Sequence, residues 1–263
     1  MTNNKKPALL ALEDGTLFWG TSIGAEGETF GEMVFNTGMT GYQEVLTDLS
    51  YCGQIVVMTY PEIGIYGVNP EDVESGKVQV AGFVVHRAAR GVYNYRATLS
   101  FLDYLAQANI VAIEGVDTRA LTRHLRTHGA QRGAISTVDL DPDSLIARVR
   151  ESPQMAGSNL AKIVTMQDAR SKMQEAGGRT QDARGKNPAS RILHHIVLID
   201  CGFKANMERE LAARGATVTV VPYDVDLETV LALKPDGVLV SNGPGDPEPL
   251  HATIALMLSL IHI

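Results

Sequence analysis

Residues 195–243 read HIVLIDCGFKANMERELAARGATVTVVPYDVDLETVLALKPDGVLVSNG. Apolar runs centred near Val197, Val218 and Val238 recur about every twenty residues. The first, HIVLID, is continuous, as expected of a strand buried on both faces. KANMERELAARG has amphipathic helical spacing and ends at Gly215; LETVLALK reads as a helix ended by Lys234-Pro235. Strands separated by helices in this rhythm are the signature of right-handed βαβ units and a parallel sheet. Ligands of such sheets bind in the crevice beyond the carboxyl ends of the strands. The third strand runs straight into SNGPGDP (241–247), which places that loop at such an end.

The loop has its own chemistry. Gly243 and Gly245 carry no side chain, so a ligand can approach their N–H groups, while Pro244 and Pro247 fix φ. Successive exposed N–H groups form a concavity for a carboxylate, a phosphate or a developing oxyanion. A bare GPG is explained equally well as a tight turn that only reverses the chain. No Gly-Lys-Ser/Thr follows, so it is not a Walker loop, and it is not GxGxxG.

The first half is strand-rich. ALLAL and LFWG flank the turn pair Asp14-Gly15 and read as a hairpin. GEMVFNTGMTGYQE (31–44) carries Gly31, Gly38 and Gly41 and is expected to turn sharply. QIVVMTY (54–60) and VQVAGFVVH (78–86) read as strands, TLSFLDYLAQAN as a helix, and IVAIEG as a short strand. DTRALTRHLRTHG is a helix with Leu121 and Leu125 one turn apart and Gly129 as its stop; DPDSLIARVRES opens on an Asp141 cap with Pro142 in the first turn. From about 156 to 192 the pattern fades into polar, mixed-charge sequence and reads as a linker with one helical turn or more at its start. The expected organisation is α/β: an N-terminal mixed β/α domain (1–155), the linker (156–192), and the first βαβαβ part of a doubly wound parallel sheet (193–263).

The 263 residues are 44% hydrophobic and 20% charged, an ordinary globular composition. A formal charge of −7 argues against nucleic acid and anionic membrane surfaces as partners. Cys52 and Cys201 make no disulfide framework, the ALLAL run is too short for a signal peptide, and no stretch approaches the ~20 apolar residues of a membrane span. The expectation is a reduced, cytoplasmic protein.

SNGPGDP after an apolar strand resembles the loop of class I glutamine amidotransferase domains, in which it precedes the turn bearing a nucleophilic cysteine. ALEDGTLFWG, GEMVFNTGMTGYQEVLTDLSY, QIVVMTYPEIG, GVDTRALTRHLR and IDCGFKAN, in that order, closely resemble the small subunits of carbamoyl-phosphate synthases. The resemblance runs from residue 8 to about 250. It implies a glutaminase subunit that passes ammonia to a large subunit, which makes carbamoyl phosphate from bicarbonate and ATP for arginine and pyrimidine synthesis. It implies no cofactor in this subunit, with ATP and Mg²⁺ in the large one. It implies that Ser50 of TDLSY, together with Gly243 and Gly245, contacts L-glutamine. Sister amidotransferases serving anthranilate or guanine nucleotide synthesis share the GPG loop and lack the MTGYQE…TDxSY domain.

Two departures matter. Leu49 stands where the family usually has proline, in the turn that aims Ser50. The family's Cys, His and Glu lie further on than this chain extends: HATIALM (251–257) matches the start of the family helix, and LSLIHI (258–263) does not match the strand that follows it. The expectation is a C-terminally truncated chain with no catalytic residue of its own, inactive alone. The alternative is a non-catalytic short form that only docks on the large subunit.

Other residues read as structural. Cys201 ends a strand where catalytic groups sit, but no base surrounds it, and His194 and His195 belong at the strand's other end. Cys52 reads as structural. His124 and His128 have i, i+4 spacing, yet Arg123 and Arg126 beside them disfavour a metal and suggest a solvated helix face. Glu13-Asp14 and Asp224/Asp226 read as turn and cap residues, and Trp19 and VYNYR (92–96) as packing.

Overall fold

The computed structural model describes residues 6–166, 169–172 and 194–261. Most of the stretch read as a linker (167–168 and 173–192) lies outside the described residues, as do Lys5, His262 and Ile263. The protein is α/β and divides into two compact units, Met1–Ala156 and Gly157–Ile263.

The first unit contains strands β1 (Pro7–Leu12), β2 (Leu17–Ser22), β3 (Glu28–Asn36), β4 (Gln54–Met58), β5 (Glu62–Ile63), β6 (Gly82–Val85), β7 (Arg87–Ala88), β8 (Val111–Glu114) and β9 (Gln131–Ser136). Its helices are α1 (Tyr42–Thr47), α2 (Phe101–Gln107), α3 (Thr118–His128) and α4 (Pro142–Glu151). Seven strands close into a barrel in the order β1-β2-β8-β6-β4-β3-β9, and β5 and β7 pair apart from it. β1 and β2 form the expected hairpin across Asp14-Gly15. β9 closes the barrel by pairing with both β1 and β3, Leu10 opposite Ile135 and Phe30 opposite Ala134.

Period-two alternation explains why the central strands read as continuously apolar. Ile55, Val57, Val84, Ile113 and Ile135 share the barrel interior, which Leu121 and Leu125 of α3 close. The alternate residues Val56, Met58, Phe83 and Val85 pack outward with Tyr42 of α1 and Phe101 and Leu105 of α2. On another stretch of wall, Leu9, Ala11 and Ala134 lie under Leu145 and Val149 of α4. The expected Asp141 cap is present, accepting from Asp143 N at 2.9 Å, and the structure adds a cap at Asp117, which accepts from Ala120 N at 2.9 Å.

Three expectations need correction here. Gly31 lies inside β3 and marks a close approach, not a turn: a Cβ there would stand 2.5 Å from the Gly53 carbonyl oxygen. Of VQVAGFVVH, only Gly82–Val85 joins the ladder; Val80 contributes an isolated bridge to Cys52. Trp19, Tyr93 and Tyr95 are not core packing residues, being 53%, 78% and 96% exposed. Trp19 lies opposite Leu9 in the β1–β2 ladder and is exposed to solvent.

The second unit contains α5 (Ala161–Val164), β10 (Arg170–Lys172), β11 (His195–Asp200), α6 (Ala205–Ala213), β12 (Thr217–Pro222), α7 (Leu227–Ala232), β13 (Gly237–Val240) and α8 (His251–Leu260). The strand order is β10-β12-β11-β13. β11 is parallel to both its neighbours, and β10 runs antiparallel along β12, with Arg170 opposite Val220. Leu198, Val218 and Val220 pack with Met207 and Leu211 of α6. Val197, Ile199 and Val221 pack with Val230 of α7 and Leu256 of α8. Helices on both faces of a parallel sheet are the beginning of a doubly wound domain. Both α5 and β10 fall within the stretch read as a linker and belong to this unit.

Candidate functional site

The second unit's connectivity locates the site. The chain passes from β11 to β12 on one side, then returns across β11 to β13 on the other. The reversal makes the carboxyl ends of β11 and β13 a topological switch point, where adjacent loops leave in opposite directions and a crevice opens. Residues 201–203 leave β11 there, and 241–247 leave β13.

The two exits are tied together. Ser241 N donates to Ile199 O at 3.1 Å, and Ser241 Oγ accepts from Cys201 N at 3.0 Å and donates to Asn242 O at 2.7 Å. Asp200 is 2% exposed and organises the β11 exit. Its Oδ1 accepts from Gly202 N at 2.9 Å and Phe203 N at 3.0 Å, and its Oδ2 accepts from Met166 N at 2.8 Å. Neither residue stood out in the sequence as part of the site, although Asp before Cys-Gly at a strand end is an Asx-turn signal.

Glycine at position 243 is required by proximity. A Cβ on Gly243 would stand 2.2 Å from Cys201 O, and one on Gly202 would meet Pro244 Cδ at 3.0 Å. Gly245 holds φ +72°, in the left-handed region, with Leu160 of the same unit 3.2 Å from where a Cβ would be. Among the described residues, no group accepts a hydrogen bond from Gly243 N or Gly245 N. Beyond the loop, Asp246 Oδ1 accepts from Glu248 N at 2.9 Å, and Leu250 N donates to Pro247 O at 3.0 Å, leading into α8. Thr253 Oγ1 of α8 donates to Tyr223 O at 2.6 Å.

Cys201 is 3% exposed and packs with Val197, Ile199 and Leu256. Burial pushes its thiol pKa up; a Thr253 hydrogen bond works against that, and the Asp200 charge adds to it. A thiol so placed is protonated and enclosed, which suits packing and not nucleophilic attack. The Cys52 thiol is also pushed up by burial, against the pull of Lys77. His195 begins β11, its N donating to Asp236 Oδ2 at 2.7 Å, at the end of the sheet opposite the loop.

Ser50, in the first unit, lies in a 3₁₀ turn spanning Leu49–Tyr51. Asp48 Oδ1 accepts from Ser50 N at 2.9 Å, Tyr51 N donates to Asp48 O, and Cys52 N donates to Leu49 O, both at 3.1 Å. These bonds, with Leu49 itself 9% exposed, hold the turn where the family usually has proline. His124 is not simply solvated: its Nε2–H donates to Asp14 Oδ2 at 2.6 Å. His128 Nδ1 pairs with His124 O at 3.0 Å. No cluster of three or more His, Cys, Asp or Glu able to hold a metal occurs among the described residues. Among them, no helix is long and apolar enough to cross a membrane.

The fold and the loop of the second unit define the start of a class I glutamine amidotransferase domain, and the description "Glutamine amidotransferase class-I" matches residues 197–262. The description "Carbamoyl-phosphate synthase small chain, CPSase domain" matches residues 10–135. The carbamoyl phosphate synthase small chain of Thermotoga maritima is 59% identical over 97% of this chain and 61% of its own length. That of Rhodopirellula baltica is 45% identical over 100% of this chain and 70% of its own, and that of Aquifex aeolicus 48% identical over 96% and 67%. The chain belongs to the carbamoyl-phosphate synthase small chain family. It spans about three fifths of the length of the Thermotoga relative.

Proposed function

We propose that this chain contributes the glutamine-holding part of a glutaminase subunit, and that the ammonia released passes to a synthase large subunit in the cytoplasm. There it is joined to bicarbonate, at the expense of ATP, to make carbamoyl phosphate for arginine and pyrimidine synthesis. Family membership supports the reaction. The observation that supports the site is the pair of undonated N–H groups at Gly243 and Gly245, at the switch point of a parallel sheet. In amide hydrolysis a thiolate attacks the side-chain carbonyl carbon of glutamine, and its oxygen becomes an oxyanion. Fixed N–H groups aimed at that oxygen stabilise the developing charge. We assign that role to the 243–245 loop and assign Ser50 to glutamine contact.

The nucleophile is neither cysteine described here, so the 263-residue chain is inactive alone. A second reading, in which this polypeptide only docks on the large subunit, is equally compatible with the burial of Cys201. Co-purification of the chain with the large subunit, with L-glutamine binding measured by titration in parallel, separates the readings. Stable docking without glutamine binding supports the docking form. Glutamate release abolished by Cys201→Ser overturns the assignment of Cys201 to packing.

A further inference from the structure

A second crevice lies wholly within the first unit, formed at one end of the barrel. β3, β4, β6 and β8 are consecutive in space and mutually parallel. Their register is level: Asn36 pairs with Met58, Val57 with Val84, and Val85 with Glu114. The residues just past that row are therefore brought together from distant parts of the sequence. Thr37, Thr59, His86 and, at the start of α3, Thr118 line one cleft of about 690 Å³. This size is typical of small-molecule sites, and the carboxyl ends of parallel strands are where such sites form.

The charge in this cleft is unlike that of the chain. Arg119, Arg123 and Arg126 of α3 all line it, although the protein as a whole carries −7. Their i, i+4, i+7 spacing puts the three guanidinium groups on one helix face. None of the three forms an ion pair among the described residues, whereas Arg132 and Arg148 on other surfaces are paired with Glu13 and Glu28. Like charges at i, i+4 repel, and a cation in the first turn opposes the helix dipole, so Arg119 and Arg123 are placed at a cost that a bound anion would remove. Among the described residues, Asp117 is the one carboxylate lining the cleft, and it is occupied in capping Ala120 N. Thr122 lines the same cleft, and its Oγ1 is shielded from solvent with no hydrogen-bond partner among the described residues. His86 Nδ1 is held by Val116 O at 3.1 Å, which leaves the other ring nitrogen for a ligand.

The geometry points to an anion-binding site in the first unit for the phosphate group of a small phosphorylated molecule, held by Arg119, Arg123 and Arg126 with the Thr122 hydroxyl. Guanidinium forks match phosphate oxygens in pairs, and threonine hydroxyls donate to the remaining ones. The site is independent of the glutamine loop and shares no residue with it.

The test is isothermal titration of the purified 263-residue chain with inorganic pyrophosphate at low and high salt. We expect saturable binding that weakens with salt, falls at least tenfold in the Arg123→Gln/Arg126→Gln double variant, and falls less in Arg123→Lys. Thr122→Val should weaken binding with the thermal midpoint retained, and Arg214→Gln, in the second unit, should leave it unchanged. Pyrophosphate that does not bind the native chain overturns the proposal, whatever the variants do. So does binding that the arginine variants leave intact, or a cleft that takes an acidic peptide such as oligoglutamate and not pyrophosphate.

Discussion

A Cβ on Gly243 would stand 2.2 Å from the carbonyl oxygen of Cys201, so the two loops leaving β11 and β13 can lie side by side only because residue 243 has no side chain. The glycine is thus needed twice, once for packing and once, in our proposal, for access of glutamine to its N–H. Gly243→Ala is expected to force the loops apart and lower stability by about 1–3 kcal/mol, the usual range for overpacking. Urea denaturation checks this, and an unchanged midpoint would mean that the loops are not in this contact.

Ser241 offers a cleaner probe of the same junction. Its hydroxyl accepts from Cys201 N at 3.0 Å within a buried setting. Ser241→Ala leaves that N–H without its partner, and we expect a loss of about 1–3 kcal/mol in chemical denaturation. Ser241→Thr keeps the hydroxyl and should recover part of it.

Leu121 of α3 is fully buried against the barrel interior. Leu121→Ala should cost about 2–5 kcal/mol by emptying the end of the barrel. Truncating the exposed Trp19 to alanine should cost under about 1 kcal/mol, since surface substitutions rarely cost more.

Asp14 supplies a pH signature. Burial alone would raise its pKa, but hydrogen bonds from Thr16, Gln131 and His124 outweigh it and lower the carboxyl from 3.8 to about 2. A depressed folded-state pKa stabilises the fold above the unfolded value, and that contribution is lost as pH falls from about 4 toward 2. At about 1.4 kcal/mol per unit the shift corresponds to about 2.5 kcal/mol. The side chain is 32% exposed, so screening leaves about 1 kcal/mol. Asp14→Asn should lower stability by about that amount at pH 6 and have little effect near pH 2, as read from denaturation midpoints across the range.

The second unit was legible because its signals are local. HIVLID and TVTVVP are buried on both faces and read as continuous apolar runs, and Asp226 and Gly215 punctuate the helices between them. Barrel closure was not legible, because it rests on pairings such as Leu10 with Ile135 that no local pattern encodes. β10 was missed for a related reason: Arg-Ser-Lys has no apolar period, and only the edge of β12 makes it a strand. The position of SNGPGDP at a strand end was readable, but the contact of Gly243 with Cys201 depends on the reversal of strand order. The arginine cleft depends on four strands ending level, so Thr37, Thr59 and His86 carried no signal until the register was known.

The central claim is that the N–H groups of Gly243 and Gly245 hold the glutamine amide. Hydrogen-exchange mass spectrometry on the chain, with L-glutamine kept in excess throughout the labelling, is the deciding measurement. The account predicts slowed exchange in the peptide covering 241–248 when glutamine is present, reduced in Gly245→Ala. Unchanged exchange in that peptide at glutamine concentrations that titration shows to be saturating would contradict it.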